Sequence, residues 1–203
     1  KLSNLLLDAD NKILKIDEIN FNYIDIENKK NQLLLQRKKK NEYELNGLSF
    51  NANKLISDLL KSKDDQQSDI FRGDINLSLN LEEVYIDKES MVKNLKGKLL
   101  LKNSKVFHTD ISAIFDDNEK LSFTINTNND EKITTLFSSR AEPLVKRYKF
   151  IKGYENGYLD FYSSKKNDIS DSKLKIYDFK LQELPTLTKL LTLASLQGIA
   201  DTL

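Results

Sequence analysis

Apolar and polar residues alternate along most of this chain. In Ile75-Asn76-Leu77-Ser78-Leu79-Asn80-Leu81 every second residue is aliphatic and the residues between are polar. A period of two puts one kind of side chain on each face of a β-strand. The run from Leu121 through Phe123 and Ile125 repeats the pattern, as does Ile111, Ala113 and Phe115. Leu159 with Phe161, and Leu174 with Ile176, are shorter versions. Nearer the start, residues 13–16, 19–26 and 32–48 read as three strands with less regular alternation.

Turn chemistry separates these runs. Asp116-Asp117-Asn118-Glu119 predicts a hairpin loop, and Asn156-Gly157 predicts the entry to another strand. Asn46-Gly47 fits either a type I′ hairpin turn or a bulge inside a longer strand. Three segments have helical spacing. Residues 53–60 carry Leu55, Ile56, Leu59 and Leu60, with Asn51 or Asn53 as cap. Residues 139–148 hold Pro143 in the first turn, where proline is tolerated. Residues 185–203 start at Pro185 and place Leu187, Leu190, Leu191, Leu193, Ala194, Leu196, Ile199 and Ala200 around most of the circumference. A helix so apolar needs a cover. No strand–helix–strand rhythm is present, so the pattern predicts a mainly β chain with a few helices and a long curved antiparallel sheet.

Composition narrows the partners. The 203 residues carry a formal net charge of +1, which gives nucleic acid no concentrated basic surface. Charged residues make up 31% and hydrophobic ones 39%, a share that suits sheets with one wet face. There is no cysteine, so disulfides and thiolate chemistry are excluded. No stretch has the roughly 18–20 apolar residues that cross a bilayer. The abrupt Lys1 and an end inside the apolar helical pattern suggest a piece of a longer protein.

Residues 138–203 also resemble a known family. The order is a short helix (141–148), a glycine-introduced strand (153–162), a strand ending in Asp178-Phe179, and the helix Pro185-Thr-Leu-Thr-Lys-Leu-Leu-Thr-Leu-Ala-Ser-Leu-Gln-Gly-Ile-Ala-Asp201. This is similar to the C-terminal region of the AsmA-like superfamily, in its large YhdP- and TamB-related members. The strand and helix at 48–60 and the strand block at 69–127 follow the family in rhythm, and residues 1–47 are compatible repeats. The resemblance divides the chain into groove strands at 1–50 and an AsmA-like C-terminal region at 51–203. It implies a β-taco groove in the periplasm of a diderm bacterium, part of a protein anchored in the inner membrane through segments outside this chain. It implies phospholipid as cargo, moved towards the outer membrane, with envelope proteins as further partners and no cofactor.

Such a groove needs a continuous apolar lining. The alternating strands offer Ile75, Leu77, Leu79, Leu81, Leu99, Leu101, Ile111, Ala113, Phe115, Leu121, Phe123, Ile125, Leu159, Phe161, Leu174 and Ile176. The same alternation builds the closed core of a β-sandwich, and the resemblance favours the open form. The apolar helix, through Leu187, Leu190, Leu191, Ala194 and Ile199, is either a core helix or a plug for the groove. Enzymatic signals are poor. His108 is the single histidine, so no two-histidine metal site exists, and no phosphate loop or nucleophile elbow appears. The pairs Glu82-Glu83, Asp64-Asp65 and Asp116-Asp117 read as solvated carboxylates, and Arg37-Lys38-Lys39-Lys40 as a solvated strand end that could touch anionic head groups. The expectation is a non-enzymatic lipid conduit. The alternative is a scaffold for outer-membrane assembly that carries no lipid.

Overall fold

A computed structural model describes residues 1–59, 73–102, 105–147, 153–167 and 169–181. Thirteen strands and two short helices follow in chain order: β1 (Leu2–Ser3), β2 (Leu6–Leu7), β3 (Ile13–Lys15), β4 (Glu18–Ile24), β5 (Lys30–Lys39), β6 (Glu42–Asn51), α1 (Asn53–Leu59), β7 (Ile75–Tyr85), β8 (Met91–Lys102), β9 (Lys105–Ile114), β10 (Lys120–Asn128), β11 (Glu131–Ser138), α2 (Glu142–Val145), β12 (Tyr154–Lys166) and β13 (Ile169–Leu181). Eleven of the strands form one open sheet in the order β1-β4-β5-β6-β7-β8-β9-β10-β11-β12-β13, while β2 and β3 pair separately. The chain is thus mainly β, with a long sheet that does not close on itself.

Every neighbouring pair in that sheet is antiparallel except β6 and β7, which run parallel. This pair corrects the expectation of a wholly antiparallel sheet: the helix expected at 53–60 stands between the two strands, the kind of crossover a parallel pair needs. From β7 onward the strands follow one another as a meander, joined by turns in which asparagine and aspartate replace glycine. Asn118 (φ 59°) turns β9 into β10, and Asn129 (φ 47°) with Asp130 (φ 64°) turns β10 into β11. All described non-glycine residues with positive φ are Asn or Asp. Their short polar side chains tolerate the left-handed region that other residues avoid, which is how a chain with six glycines turns so often.

Several sequence expectations are refined. Residues 32–48 are not one strand: the chain reverses at Lys40-Asn41, splitting them between β5 and β6. Asn46-Gly47 lies inside β6 beside a register irregularity, so the bulge and not the hairpin is realised there. Asn156 and Gly157, both at positive φ, sit inside β12 and not at its start, opposite the positive-φ Asp178 of β13. The helix expected at 139–148 is one turn, with Pro143 near its start. The apolar helix expected at 185–203, with Leu187, Leu190, Leu191, Ala194 and Ile199, lies outside the described residues.

Three apolar clusters sit on one face of the sheet. At one rim, Ile16 and Ile13 beside the β2–β3 hairpin pack on Tyr43, Ile75, Leu77 and Leu101. At the opposite rim, Ile56 of α1 joins Leu81, Val84, Val92, Ala113 and Phe115. Farther along that rim, Ala141, Leu144 and Val145 of the α2 turn pack on Tyr154, Leu159, Phe161 and Ile176. The helices meet where Arg147 donates to the Ser57 hydroxyl at 3.0 Å.

Candidate functional site

Strand register defines what lines each face, because residues paired across strands point the same way. One line of paired positions crosses the whole sheet: Leu2, Ile19, Leu35, Leu45, Leu79, Gly97, Ile111, Phe123, Leu136, Phe161 and Leu174. Every member is apolar or glycine. At about 4.8 Å per strand the line is roughly 48 Å long.

Two further lines flank it. Towards the helix-bearing rim lie Phe21, Leu33, Gly47, Leu81 and Leu95, continued by Ala113, Leu121, Ser138, Leu159 and Ile176. Towards the other rim lie Tyr43, Leu77, Leu99, Thr109, Ile125, Thr134, Ser163 and Ser172. Ile75 and Leu101 pair beyond that line, and Phe115 is buried just past the end of β9. All the lining residues anticipated from the sequence therefore share one face.

Burial is graded along that face. Ile125 is fully buried and Phe161 nearly so, whereas Leu77, Leu79, Leu99, Ile111, Phe123 and Leu174 are half-buried. Towards β4 the face opens, with Phe21 41% and Tyr23 48% exposed. Among the described residues the cover consists of the β2–β3 hairpin at one rim and the two helices at the other, and no second sheet of comparable size exists. Half-burial without a facing sheet is what an inward-curling sheet produces.

Two glycines on these lines leave room for close packing. A Cβ on Gly97 would stand 2.8 Å from Ile111 Cγ1 and from the Asp110 carbonyl oxygen. One on Gly47 would stand 2.6 Å from Leu33 Cδ2 and 2.9 Å from Leu81 Cδ2. The neighbouring aliphatic chains lean into the space these residues leave empty.

The opposite face is wet. Asn76, Ser78 and Asn80 of β7 are exposed there, as are Lys96 and Lys98 of β8, His108 and Asp110 of β9, and Lys173 and Lys175 of β13. The Thr124 and Thr135 hydroxyls share a 2.7 Å hydrogen bond on it. Two shallow depressions indent this face. One, of about 340 Å3, is edged by Asn20, Asn22, Gln32, Asn46, Asn80 and Glu82 beside Leu34 and Leu48. The other, of about 290 Å3, is edged by Thr135, Phe137, Asp160, Tyr162, Lys173 and Lys175. The first has a mostly polar edge, and the second sets Phe137 and Tyr162 beside Asp160, Lys173 and Lys175.

Sequence reading missed part of the lining. Ile19, Leu35, Leu45 and Leu136 belong to the central line. The signal was present as Leu33 and Leu35 two apart, but Leu34 between them, on the outer face, masked the alternation. No group of three or more His, Cys, Asp or Glu able to hold a metal occurs among the described residues. No helix of the described residues is long and apolar enough to cross a membrane.

An amide–carboxylate knot fixes one corner of the site. Asp25, in the β4–β5 hairpin, accepts from the Asn31 and Asn51 amides at 3.1 and 2.7 Å. Glu27 accepts from Asn51 and Asn53 at 2.9 Å each. Asn51 also caps α1, its side-chain oxygen accepting from the Asn53 backbone N–H at 3.1 Å. Hydrogen bonds from Asn51 and Asn53 hold the Glu27 carboxyl below its usual range. The knot ties the hairpin to the helix above the apolar face. Compared with known proteins, the chain matches no protein-family model, no curated protein and no solved structure.

Proposed function

We propose that this chain is a segment of a periplasmic lipid conduit of the AsmA-like kind, which shields phospholipid acyl chains during transfer between the inner and outer membranes. The observation that carries this reading is the unbroken apolar line through all eleven strands. A compact core needs apolar residues wherever two layers meet. A conduit needs them in one continuous direction, and here that direction runs perpendicular to the strands along the length of the sheet. The likeness of residues 138–203 to the AsmA-like C-terminal region supports the same reading.

The energetics fit the task. A phospholipid carries on the order of 30 methylenes, each worth about 0.8 kcal/mol on removal from water, so tens of kcal/mol oppose an unshielded path. The apolar line, about 48 Å long, exceeds an acyl chain, and Leu79, Ile111, Phe123 and Leu174 along it are half-buried. Transfer breaks no covalent bond, so the proposed role is non-enzymatic and requires no cofactor.

The test is site-specific photocrosslinking in the full chain mixed with bacterial phospholipid. A benzophenone side chain at Ile111, beside Phe123 on the central line, is expected to capture lipid. The same group at Asp110, on the wet face, is expected not to. Leu79→Asp combined with Phe123→Asp should abolish capture at Ile111 while the circular dichroism spectrum stays β. Equal capture at 110 and 111 would refute the lining assignment. A preparation that captures no lipid at either position would leave the scaffold role as the better reading.

A further inference from the structure

The wet face carries an aromatic and charged strip that an acyl-chain conduit does not use. On β12, Tyr158, Asp160 and Tyr162 share that face, and β13 sets Tyr177, Lys175 and Lys173 directly opposite them. Phe137 of β11 flanks Asp160 on the other side. Alternate residues are about 6.8 Å apart, so Tyr158 and Tyr162 lie about 14 Å apart with a carboxylate midway. The Tyr158 and Tyr177 rings stack, with centroids 4.7 Å apart and planes 15° from parallel. Between Phe137, Tyr162 and the two lysines the surface sinks into the depression of about 290 Å3.

Rings beside charges of both signs fit a ligand with an apolar face and a polar rim. We propose that this strip binds an acidic oligosaccharide, a sugar chain whose rings carry carboxylates. Tyr162 and Phe137 supply the platform on which the C–H face of a pyranose ring packs. Asp160 accepts from sugar hydroxyls, while Lys173 and Lys175 donate to hydroxyls and to the ring carboxylates. The site lies on the face opposite the apolar line, so it is independent of the conduit.

Three observations support the assignment. The groups are open to a ligand: Tyr162 is 44% exposed, and Asp160, Lys173 and Lys175 are exposed. Among the described residues no salt bridge engages Asp160, Lys173 or Lys175, although Asp160 and Lys175 are cross-strand partners. The polar groups are also of both kinds. Sugar hydroxyls donate and accept, and a carboxylate between ammonium groups meets both needs, whereas either kind alone meets one. Two lysines against one aspartate leave a positive charge at the depression, which favours an acidic sugar over a neutral one. Other ligands fit less well. Nucleic acid would be repelled by the central Asp160, and an extended peptide would pair with the terminal backbone edge of β13 and bypass the rings.

The experiment titrates the full chain with three probes: tetragalacturonate, its fully methyl-esterified and therefore neutral form, and tetraglutamate. Binding is followed by calorimetry and by tyrosine fluorescence, which no tryptophan obscures. Tetragalacturonate is expected to bind at least about tenfold more tightly than either of the others, the factor that corresponds to about 1.4 kcal/mol. Tyr162→Thr, which keeps strand propensity, should weaken it by about fivefold, the worth of one aromatic contact. Lys173→Gln with Lys175→Gln, two exposed positions, should bring it down to the level of the neutral ester. Lys96→Gln with Lys98→Gln, on the same face of β8, should leave binding unchanged. Tetraglutamate binding as tightly would reduce the strip to a charge trap and overturn the proposal. So would equal binding of the acid and its ester, binding that survives both Tyr162→Thr and the Lys173 and Lys175 pair, or no binding of either saccharide. None of these outcomes touches the conduit, whose lining is on the other face.

Discussion

Gly97 faces Ile111 across β8 and β9 with no side chain between them, and Ile111 Cγ1 occupies the space that a Cβ would need. The Asp110 carbonyl oxygen, also 2.8 Å from that hypothetical Cβ, belongs to the backbone and cannot rotate away. Gly97→Ala is therefore expected to destabilise the chain by about 1–3 kcal/mol, the usual cost of overpacking. A fall in the urea midpoint at unchanged slope is the readout. An unchanged midpoint would mean that the sheet relaxes freely there and that the close approach does not require a glycine.

Ile125 and Leu79 separate core from lining. Ile125 is fully buried, so Ile125→Ala should cost about 2–5 kcal/mol through lost transfer energy and a cavity. Leu79 is half-buried on the central line, and Leu79→Ala should cost clearly less, about 1–2 kcal/mol. Equal losses in chemical denaturation would indicate that the line is packed shut.

The alternating strands, the shared apolar face and the general sheet architecture were legible in the sequence. Ile75 to Leu81 and Leu121 to Ile125 show them plainly, because a period of two encodes which side each residue takes. Two things were not. The Lys40-Asn41 reversal was hidden by a run that stays polar through the turn, basic before it at Arg37 to Lys40 and acidic after it at Glu42 and Glu44. The parallel β6–β7 pair depends on a neighbour that alternation cannot specify.

The knot of Asp25 and Glu27 predicts an acid-sensitive fold. Hydrogen bonds from Asn51 and Asn53 lower Glu27. For Asp25, partial desolvation works upward, but bonds from Lys29, Asn51, Asn31 and Glu27 outweigh it and hold the group low. Carboxyls depressed in the folded state stabilise it above their unfolded pKa, and that contribution disappears as pH falls through the folded values. The thermal midpoint should thus decline from pH 6 to pH 3, and less steeply in Asp25→Asn with Glu27→Gln. Parallel declines in the two proteins would remove the knot from the explanation.

Tyr154 should be among the last tyrosines to ionise. It is 2% exposed and stacks on Phe179, with ring centroids 5.6 Å apart. Its hydroxyl has no hydrogen-bond partner among the described residues. Burial, aided by the Glu142 charge, pushes its pKa well above the usual tyrosine range. In an alkaline ultraviolet titration one tyrosine of the eight should resist ionisation until the fold is lost, and Tyr154→Phe should delete that step. Because an unmade buried hydrogen bond is costly, the same substitution should leave stability equal or slightly raised.

The parallel seam between β6 and β7 also bears on how the chain reaches this shape. From β7 to β13 each strand pairs with the one just made, so that half can zip hairpin by hairpin with little loop-closure entropy. At the seam the backbone must travel back along the full height of the sheet before β7 can align with β6. Long-range closures of this kind set the pace of assembly, so docking of the two meanders is the expected slow step.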